Sequence, residues 1–173
     1  MPSDAKSEHL ISVEGLPPQR LSLPSTWQRT ASFRDQELER PDSQILATFV
    51  EDRTLDPAVR SSAVLARVRS LGSADLATWQ DAVLARRLDT LPDLQVLEGR
   101  AARADGDPRG TWYTALLMTD PSAVTLLVRS WSRIVDGQGV TLTLTTLPTV
   151  DSAYSEMLDS IALSWRFEKG GHA

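Results

Sequence analysis

Hydrophobic residues recur at every second position over most of this chain and at every third or fourth position in two stretches. In the first stretch, residues 73 to 91, the apolar positions follow one helical face, with Ser73 as the predicted N-cap and Pro92 as the stop. The second stretch follows Pro148. Its apolar stripe consists of Tyr154, Met157, Leu158, Ile161 and Trp165. The pattern therefore predicts two amphipathic helices.

Alternating segments on both sides of the first helix predict strands. Four of them lie before it, at residues 20–23, 26–33, 44–50 and 63–71. Four more lie after it, near residues 94–103, 111–119, 123–135 and 140–147. The second group is joined by the turn sequences "DGDPRG", "DPS" and "DGQG", and strands linked this tightly pair antiparallel.

Together these elements predict an α+β fold in the order ββββ-α-ββββ-α. About seven or eight antiparallel strands form the sheet, and the two helices flank it to give α/β/α layers. We expect a single domain over residues 10–167. Polar and small residues at 1–9 and glycine-rich sequence at 168–173 predict two disordered tails.

Composition narrows the classes of function. The chain has 173 residues and no cysteine, and a domain of this length builds a core without disulfides. A formal net charge of -5 disfavours binding to nucleic acid. The roughly 18 consecutive apolar residues of a membrane span are absent, as is an apolar signal-peptide run. The chain as given is therefore predicted to be cytoplasmic, unless an upstream leader was removed. Arginine far outnumbers lysine, which is typical of a GC-rich, bacterial genome.

Residue types that carry out catalysis are scarce in this sequence. Both histidines, His9 and His172, fall in the predicted tails, where a positioned base or metal ligand is not expected. The spacings of the nucleophile elbow, the zincin helix, the phosphate-binding loop and the EF-hand are all missing. We therefore predict no enzyme activity, no bound metal and no cofactor.

One set of residues is a candidate binding surface. Side chains two apart in a strand share a face, so Arg129, Trp131 and Arg133 should project together, as should Arg67 and Arg69. Arginine and tryptophan are frequent in binding hot spots, and guanidinium groups hold carboxylates in pairs. These five residues would suit an acidic protein partner. In the alternative interpretation, the arginine stems lie along a covered sheet face over Trp131.

Two segments resemble the PsbP-like superfamily, which includes a Ran-binding nuclear-import factor and bacterial proteins of the DcrB and LpqN type. They are the opening "RLSLPSTW", with Leu23, Pro24 and Trp27, and the close "GVTLTLTT" followed by "MLDSIALSW", with Ser164. The resemblance implies the layered α+β fold described above. It also implies a binding or scaffolding role, because most members of the superfamily are not enzymes.

The leading functional prediction is a non-catalytic protein-interaction or scaffold module. An alternative is a carrier that holds a small molecule or anion in a pocket between sheet and helix, oriented by Arg67, Arg129 or Arg133. A second alternative is an enzyme that uses neither histidine nor cysteine. A scaffold predicts no deep polar pocket, whereas a carrier predicts a closed cavity of several hundred cubic ångströms with convergent hydrogen-bond donors, according to the usual size of ligand sites.

Overall fold

The computed structural model describes residues 5–30, 42–52, 60–69, 71–72, 74–91, 93–102 and 110–168. In these ranges the strands are β1 Lys6–Ile11, β2 Gln19–Pro24, β3 Trp27–Thr30, β4 Ser43–Glu51, β5 Ser62–Val68, β6 Gln95–Ala102, β7 Thr111–Thr119, β8 Thr125–Val135, β9 Gln138–Thr146 and β10 Arg166–Phe167. The α-helices are α1 Leu76–Thr90 and α2 Asp151–Ser164, and a short 3-10 turn, Pro148–Val150, precedes α2.

Seven of these strands form one antiparallel sheet in the order β3-β4-β5-β9-β8-β7-β6. Consecutive strands are neighbours except at the centre, where β5 pairs with β9 and joins the two halves of the chain. A smaller sheet has the order β1-β2-β10. The predicted α+β class and the antiparallel sheet flanked by two helices are therefore confirmed.

The main core lies between one face of the large sheet and a layer made of α2 and the small sheet. The sheet contributes Leu65, Leu142 and Leu144, which solvent does not reach. From the other side, α2 contributes Leu158 and Ile161. Fully burying an aliphatic side chain of this size stabilises the fold by about 1.5–3 kcal/mol. The alternation predicted for residues 140–147 thus directs its leucines into the core.

Helix α1 begins at a different residue from the one predicted. Its N-cap is Asp75, whose carboxylate accepts a hydrogen bond from the backbone N–H of Thr78 at 2.8 Å. This contact satisfies one of the N–H groups that a helix start leaves unpaired. Ser73 and Pro92, the predicted cap and stop, lie outside the described residues. The C-cap is Leu91, whose backbone N–H donates to the carbonyl of Arg87.

The expected tail over residues 1–9 is wrong for residues 6–9, which belong to β1 and pair antiparallel with β2. Four of its six residues are polar; three of the six are exposed, two are half-buried, and only Ile11 is fully buried. Five strands therefore precede α1 instead of four, and the two-residue β10 follows α2. At the other end, Glu168 forms an ion pair with Arg20, while residues 169–173 lie outside the described part.

Candidate binding cavity

Four of the five predicted site residues lie on the core face of the large sheet. Arg133 of β8 and Arg67 of β5 are both paired with Val140, a core residue of β9. Arg129 and Trp131 precede Arg133 at intervals of two residues in the same strand. Because directly paired residues project to the same face, these side chains point toward the layer that contains α2.

Two of these guanidinium groups hold the ends of α2 against the sheet. Arg133 is buried, and it donates to Oγ1 of Thr111 and to the carbonyl of Trp165, both at 3.0 Å. Its guanidinium carbon also lies 4.5 Å from the centre of the Trp165 ring, within cation–π range. Arg129 donates to both carboxylate oxygens of Asp151, at 2.6 and 2.8 Å.

The remaining predicted residues also make contacts within the chain. Arg67 is buried and donates from Nε and Nη2 to the amide oxygen of Gln44, at 2.9 and 2.7 Å. The exposed Arg69 donates to the same oxygen at 3.3 Å. The ring of Trp131 lies 5.2 Å from that of Tyr113. A binding role for these five residues stays a prediction, and their contacts favour the alternative interpretation of a covered face.

The opposite face of the large sheet forms a cavity of about 850 Å³ beneath α1. Strands β5, β9, β8 and β7 provide its floor. Helix α1 and its C-cap provide Gln80, Val83, Leu84, Arg87 and Leu91. The cavity therefore lies between two layers of the fold and is partly open to solvent, so a ligand would be held between sheet and helix.

Helix α1 contacts the sheet at two places, through Trp79 in its first half and through Leu84 and Leu91 further along. At the first, Trp79 packs directly on Gly139, where an added Cβ atom would lie 2.5 Å from two indole carbons. At the second, Leu84 and Leu91 pack against a second core cluster that includes Leu116. Glycine at 139 is thus required by the close approach of an aromatic ring to the backbone.

The floor of the cavity is rich in hydroxyl groups. Ser132 and Thr141 face each other across β8 and β9 with 2.9 Å between their oxygens, and Ser130 and Thr143 do so at 3.2 Å. Each such pair shares one proton, so a second hydroxyl proton and several lone pairs remain for a ligand. Further hydroxyls come from the neighbouring positions Ser62, Thr114 and Thr145.

The other parts of the lining are apolar, with charged groups at a few positions. Aliphatic and thioether groups come from the sheet, at Val64, Ala66, Val68, Leu116, Met118, Leu126 and Val128. The charged residues of the lining include Arg60, which is exposed, and Asp120. The cavity thus offers an apolar enclosure with a row of neutral hydrogen-bonding groups along its floor.

Two ionisable groups with displaced pKa values lie elsewhere, on the core side of the sheet. Burial raises the pKa of Glu51, which accepts a hydrogen bond from the Tyr154 hydroxyl at 3.1 Å. Burial and the charge of Arg29 lower the pKa of His9. The His9 ring lies 4.7 Å from Phe49, so this histidine packs in β1 against an aromatic neighbour.

A metal centre is not evident in the part of the chain that the structure describes. Within those residues, no three side chains of the types His, Cys, Asp and Glu lie together as a metal site requires. The same residues contain no helix long and apolar enough to cross a membrane.

The sequence held a signal for this cavity in its alternating hydroxyl residues. Thr141 and Thr143 alternate with the core leucines of β9, and Ser130 and Ser132 alternate with Arg129, Trp131 and Arg133 in β8. Such alternation is also typical of a solvated sheet face, so it cannot by itself indicate a helix-covered cavity. Of the arginines proposed to orient a ligand, Arg67 borders the cavity, but it shares the core face with Arg129 and Arg133 and its guanidinium donates to Gln44.

Comparison with solved structures identifies the class of fold. A crystal structure of PA94 from Pseudomonas aeruginosa, a protein of unknown function described as a putative regulator, aligns with a TM-score of 0.64 at 17% identity. The alignment covers 94% of this chain and 98% of that one. The crystal structure of LpqN, involved in cell envelope biogenesis of Mycobacterium tuberculosis, aligns with a TM-score of 0.62 at 16% identity, covering 95% and 92%.

The solution structure of cyanobacterial PsbP (CyanoP) from Synechocystis aligns with a TM-score of 0.64 at 13% identity, covering 97% of this chain and 96% of that one. The chain therefore has the PsbP-like fold, and the resemblance read from the sequence is confirmed at the level of the fold. No protein-family profile matches the sequence. A search of curated proteins also gave no match.

Proposed function

We propose that this protein is a non-catalytic binding protein that holds a small, largely apolar molecule in the cavity beneath α1. The observation that carries the proposal is the cavity itself, whose volume of about 850 Å³ is in the range of sites for small ligands. A mainly apolar enclosure with a few hydrogen-bonding groups is the usual composition of such sites.

The cavity favours the carrier over the scaffold among the functions predicted from the sequence. A scaffold that presents only a sheet face needs no space of ligand size between its layers, whereas a carrier requires one. Partnership with an acidic protein rested on the arginines, whose guanidinium groups donate within the chain. That partnership stays a prediction, as does the cytoplasmic location.

The lining indicates what kind of ligand would fit. Aliphatic side chains would cover an apolar body, and the serine and threonine hydroxyls would hydrogen-bond with uncharged polar groups along one edge of it. Among the described residues, positions 130 with 143 and 132 with 141 join hydroxyl to hydroxyl, and a hydroxyl that no base activates is a weak nucleophile, which supports binding in preference to catalysis. The names of the similar structures include a putative regulator and an envelope-biogenesis protein, and neither name specifies a ligand.

A fluorescence titration with Nile red, an uncharged apolar dye that carries a carbonyl acceptor, tests the proposal. Ala66 lies on the cavity floor, where it is paired with Thr141, so the variant Ala66→Phe places a ring in the space for the ligand. We expect the wild-type protein to bind the probe saturably at one site. In Ala66→Phe, affinity should fall about tenfold or more, since the lost apolar contact is worth about 1.5–3 kcal/mol.

The matched control is Ala153→Phe, which adds the same ring at an exposed position of α2. This variant should bind the probe as the wild type does. Circular dichroism and a melting curve check that Ala66→Phe is folded. Absence of saturable binding to the wild type, or equal affinity in folded Ala66→Phe, would contradict the proposal.

A further inference from the structure

Strand β6 forms a long, uncovered edge of the large sheet. It is the last strand in the sheet order, so one of its edges has no neighbouring strand within the described residues. It has 8 residues, whereas β3 at the opposite edge has 4. Residues 95–101 are all exposed. Such an edge presents unpaired N–H and C=O groups to any strand that approaches it.

Strand β6 carries two charged side chains and a β-bulge, but it also exposes two large apolar side chains. Val96 and Leu97 are 42% and 54% exposed, which is unusual for large apolar side chains next to each other on a surface strand. Gly99 lies at the centre of the strand, and a Cβ atom added there would meet nothing within 4 Å. Glycine inside a strand weakens it but permits close approach of a second backbone.

The charges on β6 are complementary to themselves under a twofold rotation. Glu98 and Arg100 flank Gly99, share one face of the strand and form an ion pair with each other. If two copies of β6 run antiparallel with Gly99 on the axis, Glu98 of each copy lies directly opposite Arg100 of the other. The same register places Leu97 opposite Ala101. Opposite charges in directly facing positions stabilise antiparallel pairs.

We propose that β6 is a self-association surface, through which two copies of this chain join their large sheets about a twofold axis at Gly99. The pairing adds backbone hydrogen bonds along the edge and two crossed pairs of Glu98 with Arg100. The regular part of the strand carries this contact, because the β-bulge that interrupts the pairing with β7 lies between Val96 and Glu98. The area buried is small, so the dimer should be weak and dependent on salt.

Charge reversal tests this pairing by sedimentation velocity, over a range of protein concentrations at low salt. In Glu98→Arg every crossed pair becomes arginine with arginine, and in Arg100→Glu it becomes glutamate with glutamate. Each single variant should associate at least about tenfold more weakly than the wild type, since like charges in facing positions are destabilising. An equimolar mixture of the two should associate again, because each crossed pair then contains opposite charges.

The double variant Glu98→Arg with Arg100→Glu should also restore the dimer, because it exchanges the charges and keeps them complementary. Glu156→Arg is the matched control: it makes the same change in charge at an exposed position of α2 and should leave association unchanged. A wild type that stays monomeric throughout the range would overturn the proposal. So would association that neither reversal weakens, or single variants that fail to associate when mixed. The ligand cavity plays no part in this test.

Discussion

Replacement of Gly139 by alanine should separate α1 from the sheet at the point where the two come closest. The new Cβ atom would lie 2.5 Å from two carbons of the Trp79 indole and 2.9 Å from a third. Carbon atoms in van der Waals contact lie about 3.5–4.0 Å apart, so the ring or the helix must move by about 1 Å. Overpacking of this kind costs about 1–3 kcal/mol.

Part of this cost is offset, because alanine in a strand is favoured over glycine by about 0.5–1 kcal/mol. We therefore expect a net loss of about 1–2 kcal/mol in the free energy of unfolding. For a domain of this length, that lowers the melting temperature by about 2–8 °C, since each kcal/mol shifts it by about 2–4 °C. Thermal unfolding followed by circular dichroism measures the shift.

A double-mutant cycle with Trp79→Ala shows whether the indole is the cause. Without the ring, Gly139→Ala should no longer destabilise and should gain up to about 1 kcal/mol. Gly99→Ala is the control, because its added Cβ meets nothing within 4 Å. The packing account is refuted if Gly139→Ala melts at the wild-type temperature, or if its cost persists in the Trp79→Ala background.

Two further predictions concern buried ionisable groups. Burial raises the pKa of Glu51 above its ordinary value of 4.5, so its carboxylate destabilises the native state as pH rises through the raised pKa. In urea unfolding at neutral pH, the free energy of unfolding of Glu51→Gln should therefore be at least as large as that of the wild type. If Glu51→Gln were also more stable than the wild type below pH 4.5, where the carboxyl group is protonated in both states, the raised pKa would not be the cause. Burial and Arg29 lower the pKa of His9 below 6.5, so native stability should fall as pH drops from 6.5 through the lowered pKa. An NMR titration should give a His9 pKa below 6.5 that rises in Arg29→Gln; an unchanged value would exclude Arg29 as a cause.

The pattern of the sequence was sufficient to predict most of the secondary structure. The strands β6 to β9 and both helices lie close to the predicted positions, because the periods of two and of about 3.6 residues depend only on neighbours along the chain. Strand β1 was missed because its exposed edge position permits polar residues, which leave almost no hydrophobic signal. Its identity as a strand depends on pairing with β2.

Only the tertiary structure decided which layer covers each face of the large sheet. Alternation shows that Arg129, Trp131 and Arg133 share a face, but it does not show which layer covers that face. The pairing of β5 with β9 and contacts such as that of Trp165 with Gln19, 146 residues apart, place these residues on the α2 side. Likewise, the hydroxyl face could have been solvated. It borders a cavity because α1 lies over it, and packing between residues distant in sequence is not encoded in any local pattern.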